Sequence, residues 1–356
     1  MKVFKPGKIT VLNADAKVAL KDFSGNYFDG FLADAPYEIS YLSKKWDGKG
    51  IVFNVDMWKE VYRVLKPGAY LLCYGGTRTY HRLACAIEDA GFQIRDCLMW
   101  LTAQGFPKIT DISKQLQKKG FDEEAEKWRG YSNTLKPAYE PIVLAMKPIE
   151  KTYSENVLKW GVGGLNIEES KIRTDKARFP ANLLLTDIEE HEWSRFFFNA
   201  KTSRREKELG LDSLELKTKT NEYAGFSSYC KVCGKMFFSG DNYCTCDEAI
   251  YGPKASRMLN PTFHNNHPTL KPILLNQYLA KLILPPGGGK LLNPFSGVCS
   301  EAIGAFFAGW DEIVSVEVEA EYVLIAEARV KYWTQFGSYK EGMKNEGIEG
   351  SRTGQI

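Results

Sequence analysis

Phe28-Asp29-Gly30-Phe31-Leu32-Ala33-Asp34-Ala35-Pro36-Tyr37 is an apolar run that ends in a carboxylate, a stiff turn and an aromatic ring. Residues 28–33 read as a short buried strand. The four residues after it form a compact kit for holding a flat, nitrogen-bearing ring. Asp34 can accept hydrogen bonds from an exocyclic amine. Pro36 fixes one backbone angle and removes a donor, which leaves nearby carbonyls free to accept. Tyr37 offers a face for stacking. The plain alternative is a strand followed by a proline turn, because tetrapeptides of this kind also recur by chance.

Outward from this stretch the chain alternates. Lys8-Ile9-Thr10-Val11-Leu12 reads as an earlier strand ending at Asn13-Ala14-Asp15. Trp58, Val61, Tyr62 and Leu65 recur at helical spacing, and Lys66-Pro67-Gly68 stops that helix. Tyr70–Tyr74 is a buried strand closed by Gly75-Gly76, a helix carries Leu83, Ala84 and Ile87, and Phe92–Trp100 is another strand. This rhythm predicts a parallel α/β sheet. It breaks at Gly105 and resumes after His267. There a helix bearing Leu275, Tyr278, Leu279, Leu282 and Ile283 precedes the strand Lys290–Phe295. A helix over Glu301–Ala308, the strand Ile313–Glu317 and a last helix with Tyr322, Ile325, Ala326 and Val330 follow. The reading is one α/β domain from residues 1–104 and 266–340 and an insertion over 105–265. The insertion would sit at the sheet's carboxyl edge, where open α/β sheets bind ligands. Within it, Pro141–Met146 is able to return to the sheet, and residues 341–356 read as a flexible tail.

Composition narrows the class. The chain has 356 residues, enough for a large core, and 47 basic against 44 acidic side chains give a net charge of +3. Any footprint for a polyanion must therefore be local. The opening Met1-Lys2-Val3-Phe4-Lys5-Pro6-Gly7 lacks a signal-peptide core, and no run reaches the length of a membrane span. A cytosolic, reducing setting is expected, in which the eight cysteines read as thiols or metal ligands.

Two further constellations carry chemistry. Asn293-Pro294-Phe295-Ser296-Gly297-Val298-Cys299-Ser300 lies between a strand and a helix. Gly297 lets a ligand approach the backbone. Glu317, twenty residues beyond Gly297, ends the next strand, placed to accept from a ribose diol. A single glycine supports a phosphate cradle poorly, and a nucleoside without phosphates fits better; an ordinary turn with an exposed Glu is the alternative. The second constellation is Cys230-x-x-Cys233 and, after ten intervening residues, Cys244-x-Cys246. Four thiolates on two short loops suit a closed tetrahedral structural Zn²⁺ module over 228–248, against the alternative of reduced surface cysteines. Lys201, Arg204, Arg205, Lys207, Lys231 and Lys235 are interleaved with Phe237, Phe238 and Tyr243, a mix that suits phosphate contacts plus stacking or a solvated charged face.

Taken together, these stretches resemble the amino-group DNA methyltransferases that use S-adenosylmethionine, in the circular order called the beta group. That family places an Asp-Pro-Pro-Tyr catalytic motif first, a target-recognition region next and a Phe-x-Gly cofactor motif last. Asp34, Ala35, Pro36 and Tyr37 match the first; Asn293, Phe295, Ser296 and Gly297 match the last; Glu317 matches the acidic ribose ligand. His267-Pro268-Thr269-Leu270-Lys271-Pro272 matches the segment before the cofactor-side helix, with His267, Thr269 and Lys271 as cofactor-side candidates. Asp15 matches an acidic position near the cofactor's adenine. The resemblance covers about residues 8–150 and 264–334. Two positions depart from it: Ala35 replaces a proline, and Cys299 stands where a glycine is usual.

The resemblance implies a Rossmann-like methyltransferase sheet whose inserted target-recognition region here carries the four-cysteine zinc module. It implies methyl transfer to the exocyclic amine of a base flipped out of double-stranded DNA, by a bacterial or phage-encoded enzyme of the restriction-modification kind. N6 of adenine is favoured over N4 of cytosine, on the family trend for Asp at the first motif position. Asp34 and the Ala35 carbonyl would hold the amine hydrogens. Methylation of cytosine C5 is disfavoured, because no Pro-Cys pair exists to supply the nucleophile. The rival readings are a methyltransferase of RNA or protein, and a catalytically silent zinc-bearing DNA-binding protein.

Overall fold

The computed structural model describes residues 2–39, 47–48, 50–102, 111–173, 177–186, 197–200, 203–215, 217–218, 226–230, 236–238, 251–252, 262–267 and 269–345. The chain divides into two compact units, residues 1–203 with 269–356, and residues 204–268.

The larger unit is built on ten strands: β1 Lys2–Phe4, β2 Ile9–Asn13, β3 Phe28–Ala33, β4 Leu65–Tyr74, β5 Gln93–Leu101, β6 Tyr139–Met146, β7 Leu183–Leu185, β8 Phe198–Asn199, β9 Lys290–Asn293 and β10 Glu312–Glu317. They form one sheet in the order β1-β2-β10-β9-β3-β4-β6-β5-β7-β8. Its helices are α1 Ala16–Ala19, α2 Val55–Val64, α3 Tyr80–Asp89, α4 Ile112–Lys118, α5 Asp122–Lys127, α6 Tyr153–Trp160, α7 Ile273–Leu282, α8 Ser300–Ala308, α9 Ala320–Trp333 and α10 Tyr339–Lys344.

The central strands β2, β10, β9, β3 and β4 run parallel, as the alternation predicts. The sheet departs from the expected parallel pattern at two places. β1 is antiparallel to β2, and β6 enters between β4 and β5, antiparallel to both. Parallel neighbours need a crossover to the far edge. The chain leaves β5 at Leu101 and re-enters at Tyr139 on the same edge, so β6 runs backwards (Leu101 faces Tyr139). β7 and β8 continue the sheet beyond β5. The compact division falls at 204 and 268, because residues 139–199 add three strands to the main sheet. At the end of the described residues, α10 is capped by Ser338, and Gly342 lies where a Cβ would meet the Trp333 ring at 2.6 Å.

Local sequence explains the packing that holds the central strands. Asn54 caps α2 by accepting from the Asp56 N–H at 2.9 Å, and Met57, Trp58, Val61 and Val64 form its buried face. These residues pack with Phe31, Ala33, Leu71, Cys73, Val143, Leu292 and Val314 in one core. Gly30 makes room for Trp310, whose ring would lie 2.7 Å from an added Cβ. β4 begins at Leu65, five residues earlier than the apolar run indicates, and its register with β3 is irregular between Phe28 and Gly30.

In the smaller unit, Phe226–Cys230 pairs with Met236–Phe238 and with Tyr251–Gly252. Cys230 ends the middle strand, while Cys233, Cys244 and Cys246 lie outside the described residues. The proposed zinc module therefore lies largely outside them as well. Among the described residues no helix is long and apolar enough to cross a membrane.

Candidate active site

β9 and β3 are neighbours with Leu291 opposite Gly30 and Leu292 opposite Phe31. Their chains continue to β10 on one side and β4 on the other, so strand order reverses between them. Open α/β sheets bind ligands outside the carboxyl ends of strands at such a point. Asp34–Tyr37 leaves β3 there, and Pro294–Gly297 leaves β9 beside it. Two segments some 260 residues apart in sequence thus meet at one edge.

Around Asp34 the side chains form a charged cluster. Lys271 Nζ donates to Asp34 Oδ2 at 2.8 Å and lies 3.1 Å from Glu140 Oε2. The Tyr37 hydroxyl donates to that same Glu140 oxygen. The ammonium also sits 5.2 Å from the ring centroids of both Tyr37 and Tyr74. Side-chain exposure is 4% for Lys271, 13% for Asp34 and 27% for Glu140, so the cluster is largely desolvated. Burial pushes the Asp34 carboxyl above the usual range, against the pull of Lys271. Burial alone would lower Lys271, but the two carboxylates outweigh it and hold the ammonium above its ordinary value. The Tyr37 hydroxyl is raised by burial and by the same two carboxylates. Asp34 Oδ1, the other carboxylate oxygen, is buried with no hydrogen-bond partner among the described residues.

The turn that carries this motif is braced. Ala35 is buried, the Thr79 hydroxyl donates to the Tyr37 carbonyl at 2.7 Å, and Asp47 accepts from the Glu38 N–H at 2.6 Å. Glu38 itself holds a left-handed backbone (φ 55°) and accepts from the Gly50 N–H at 2.7 Å.

On the other side of the crevice, the Ser296 N–H donates to the Val316 carbonyl at 3.0 Å, which ties the loop after β9 to β10. Gly297 has φ 49°, and its N–H donates to Glu317 Oε2 at 2.8 Å. The second Glu317 oxygen accepts from the Glu319 N–H at 2.7 Å. Burial pushes Glu317 up to about 7, against the help of those N–H groups. Asn293 is fully buried at the end of β9, and neither atom of its amide has a partner among the described residues. Phe295 packs against the core. Arg329 on α9 clamps the loop from behind, donating to the Val298 carbonyl at 2.6 Å and the Ser300 hydroxyl at 3.1 Å. Cys299 sits in the left-handed region (φ 64°) and is buried, which pushes its thiol up to about 12.

The remaining sequence candidates make contacts of their own. Asp15 is exposed and caps α1, its Oδ1 accepting from Lys17 N–H at 2.9 Å and Val18 N–H at 3.3 Å. Ala14 N–H donates to the Glu317 carbonyl at 3.1 Å, so Asp15 follows directly on the β10 contact. Thr269 is half-buried two residues before Lys271. His267 belongs to the smaller unit, where its N–H donates to Asn265 Oδ1 at 3.1 Å. Conversely, sequence reasoning missed Glu140, Tyr74, Asn276 and Glu301. The Tyr74 hydroxyl donates to Asn276 Oδ1 at 2.9 Å, and Asn276 Nδ2 donates to Glu301 Oε1 at 3.2 Å. Burial, with the negative Asp34 nearby, pushes Glu301 up to about 7. The available signal for Glu140 was an acid heading an otherwise apolar strand, which becomes meaningful only once β6 is known to run antiparallel.

The residues fit a sulfonium nucleoside. Glu317 offers a carboxylate beside a glycine turn, Asn293 an amide without a partner among the described residues, and the Asp34 cluster one more carboxylate than ammonium. A bound cation would balance that excess.

Over 116 residues the chain is 32% identical to the type II methyltransferase M.HindIII of Haemophilus influenzae, a match covering 32% of this chain and 38% of that protein. The matched stretch is thus well under two thirds of that relative's length. Among solved structures, the PvuII DNA methyltransferase, described as cytosine-N4-specific, shares the fold with a TM-score of 0.50 and 13% identity, over 91% of this chain and 87% of that one. The complex of M1.HpyAVI with SAM aligns with a TM-score of 0.46 and 13% identity, over 90% and 98% of the two chains. The DNA methylase model of the N6/N4 type matches residues 28–328, most of the sequence, and the chain belongs to that family.

Proposed function

We propose that this chain transfers the sulfonium methyl of S-adenosylmethionine to the exocyclic amine of a base flipped out of double-stranded DNA, with N6 of adenine as the target. The observation that carries this reading is the division of labour in Asp34. Lys271 fixes Oδ2, and Oδ1 is buried without a partner among the described residues. An amine hydrogen would satisfy that oxygen, and a buried acceptor left unmade is costly.

The cofactor, when bound, supplies an electrophilic methyl on a cationic sulfur. Glu317, Gly297 and Asn293 would hold its nucleoside side. The amine of an aromatic base is a poor nucleophile, because its lone pair is delocalised into the ring. Asp34 Oδ1 and the Ala35 carbonyl would accept its two hydrogens and favour a tetrahedral nitrogen. The surplus carboxylate of the cluster would stabilise the positive charge that develops there. Tyr37 would stack on the base, which must leave the duplex to reach the crevice. Asp at the first motif position favours adenine by family trend. Within residues 204–268 the basic and aromatic side chains support a target-recognition role. The spacing of Cys230, Cys233, Cys244 and Cys246 in the sequence supports a shared structural Zn²⁺. Metal analysis of the purified chain should then find one zinc per molecule.

The test is incubation with methyl-labelled S-adenosylmethionine and unmethylated duplex DNA, followed by digestion to nucleosides. Label in N6-methyladenine is expected; label in N4-methylcytosine would reassign the base. DNA that stays unlabelled would overturn the reading. Asp34→Ala should abolish transfer while calorimetry still detects cofactor binding.

A further inference from the structure

The geometry points to Glu140 as a positioning residue for this reaction, one that orients the stacking ring of Tyr37 and shares the ammonium of Lys271 with Asp34. The inference rests on the proposed activity and deepens it. Glu140 lies more than 100 residues from the motif it serves. It reaches the crevice only because β6 is antiparallel, which puts the start of that strand at the carboxyl edge of β4.

Three observations support the assignment. The backbone on either side of Glu140 is pinned to the two flanking strands: Gly75 N–H donates to the Pro141 carbonyl at 2.9 Å and Thr102 N–H to the Ala138 carbonyl at 2.9 Å. The side chain is therefore launched from a rigid platform, as a preorganised site requires. One of its oxygens, Oε2, then takes both the Tyr37 hydroxyl and the Lys271 ammonium. Finally, Lys271 has two carboxylates to satisfy. With Glu140 present, the ammonium is shared. Without it, the whole charge would fall on Asp34, pulling that carboxylate off the direction its free oxygen needs and releasing the Tyr37 ring.

The groups facing Glu140 are thus Tyr37 from the β3 turn and Lys271 from the segment before α7, with Asp34 one contact further on. Glu140 touches neither of the predicted reacting atoms, so it acts through these neighbours. Small misplacements of reacting groups cost large factors in rate, about 10²-fold for 1 Å.

The experiment uses the full chain with Glu140→Ala, Glu140→Gln, Tyr37→Phe and the double variant Tyr37→Phe/Glu140→Ala. Transfer of labelled methyl to unmethylated duplex DNA is resolved into kcat and KM, and S-adenosylmethionine affinity is measured separately by calorimetry. Glu140→Ala should lower kcat about 100-fold and Glu140→Gln, which keeps an acceptor for Tyr37, about tenfold. KM for DNA should stay within about threefold of wild type, and cofactor Kd should rise by no more than about tenfold, because the cluster loses one carboxylate. The double variant should be no slower than Glu140→Ala alone, because the hydroxyl acts through the same carboxylate. Wild-type kcat in Glu140→Ala, additive losses in the double variant, or a loss confined to cofactor affinity would each overturn the inference. Absence of transfer by wild type would instead sink the proposed activity, so the two failures are distinguishable.

Discussion

Two buried lysines, at opposite edges of one sheet, show how differently a fold can use the same side chain. Lys147 follows β6 at the amino edge of β4 and is 7% exposed. Its Nζ donates to Asn26 Oδ1 at 2.9 Å, the Tyr62 carbonyl at 2.8 Å and the Leu65 carbonyl at 2.7 Å, above the Tyr62 ring. All three acceptors are neutral. Burial wins over the weaker pull of the Glu150 carboxylate, and the ammonium is lowered to about 8. Lys271, at the carboxyl edge, faces two carboxylates and is raised. The first lysine ties turns together, at an electrostatic cost. The second is part of a cluster with more carboxylate than ammonium, at the sheet edge where the cofactor and base are proposed to bind. Burial alone does not mark a functional lysine; the sign of what surrounds it does.

The contrast can be broken most sharply at Lys271. Lys271→Met should lower methyl-transfer kcat about 100-fold, since Asp34 loses the partner that orients it. Its unopposed carboxylate should also move the acid limb of the pH–rate profile to higher pH. An unchanged profile would mean that Lys271 does not tune Asp34. Lys147→Met should do the reverse, leaving kcat intact. Chemical denaturation should show a loss of about 1–3 kcal/mol for each buried acceptor left unpaired.

A finer discrimination comes from pH. The folded value of Lys147 lies near 8, below the 10.5 of an unhindered lysine. Between those values the unfolded chain binds more protons, so stability rises with pH across that window. The rise should vanish in Lys147→Met when denaturation midpoints are compared from pH 8 to 10. Lys271 has the opposite sign. Its contribution is complete below 10.5 and declines only as pH climbs towards its raised folded value, so its variant should not flatten the same window.

The smallest effect is expected at Cys299, on the Lys271 edge but away from its charges. A non-glycine residue in the left-handed region costs about 1–2 kcal/mol. Cys299→Gly should recover that, less the burial of the thiol, for a net change within about 1 kcal/mol. Cofactor affinity should be equal or tighter; clear weakening would show that the thiol supports the loop.

The same contrast explains what could be read in the sequence. β3 with Asp34–Tyr37 and β9 with Asn293–Gly297 are short local patterns: an apolar run, then a turn whose residues have one job. Their meeting at one edge followed from the α/β rhythm. Glu140 and Asn276 carry no such local mark. Each becomes part of the centre through long-range pairing, by the reversal of β6 or the approach of α7 to α8, where Gly304 leaves room for the Asn276 backbone. Asp15 was legible as an acid but not as a helix cap, since both roles favour the same residue after a strand. β7 and β8 leave no mark in the sequence, because they are only three and two residues long and show no periodicity.

The pairing of β9 with β3 has a temporal meaning as well. A growing polypeptide exposes residues 28–33 long before residues 290–293 have been synthesised, and until then β3 lacks the neighbour that covers one side of it. Contacts that span most of the chain form slowly, and strands waiting for them are open to wrong partners. Production in the cell should therefore depend on chaperones and growth temperature, whatever the stability of the finished molecule.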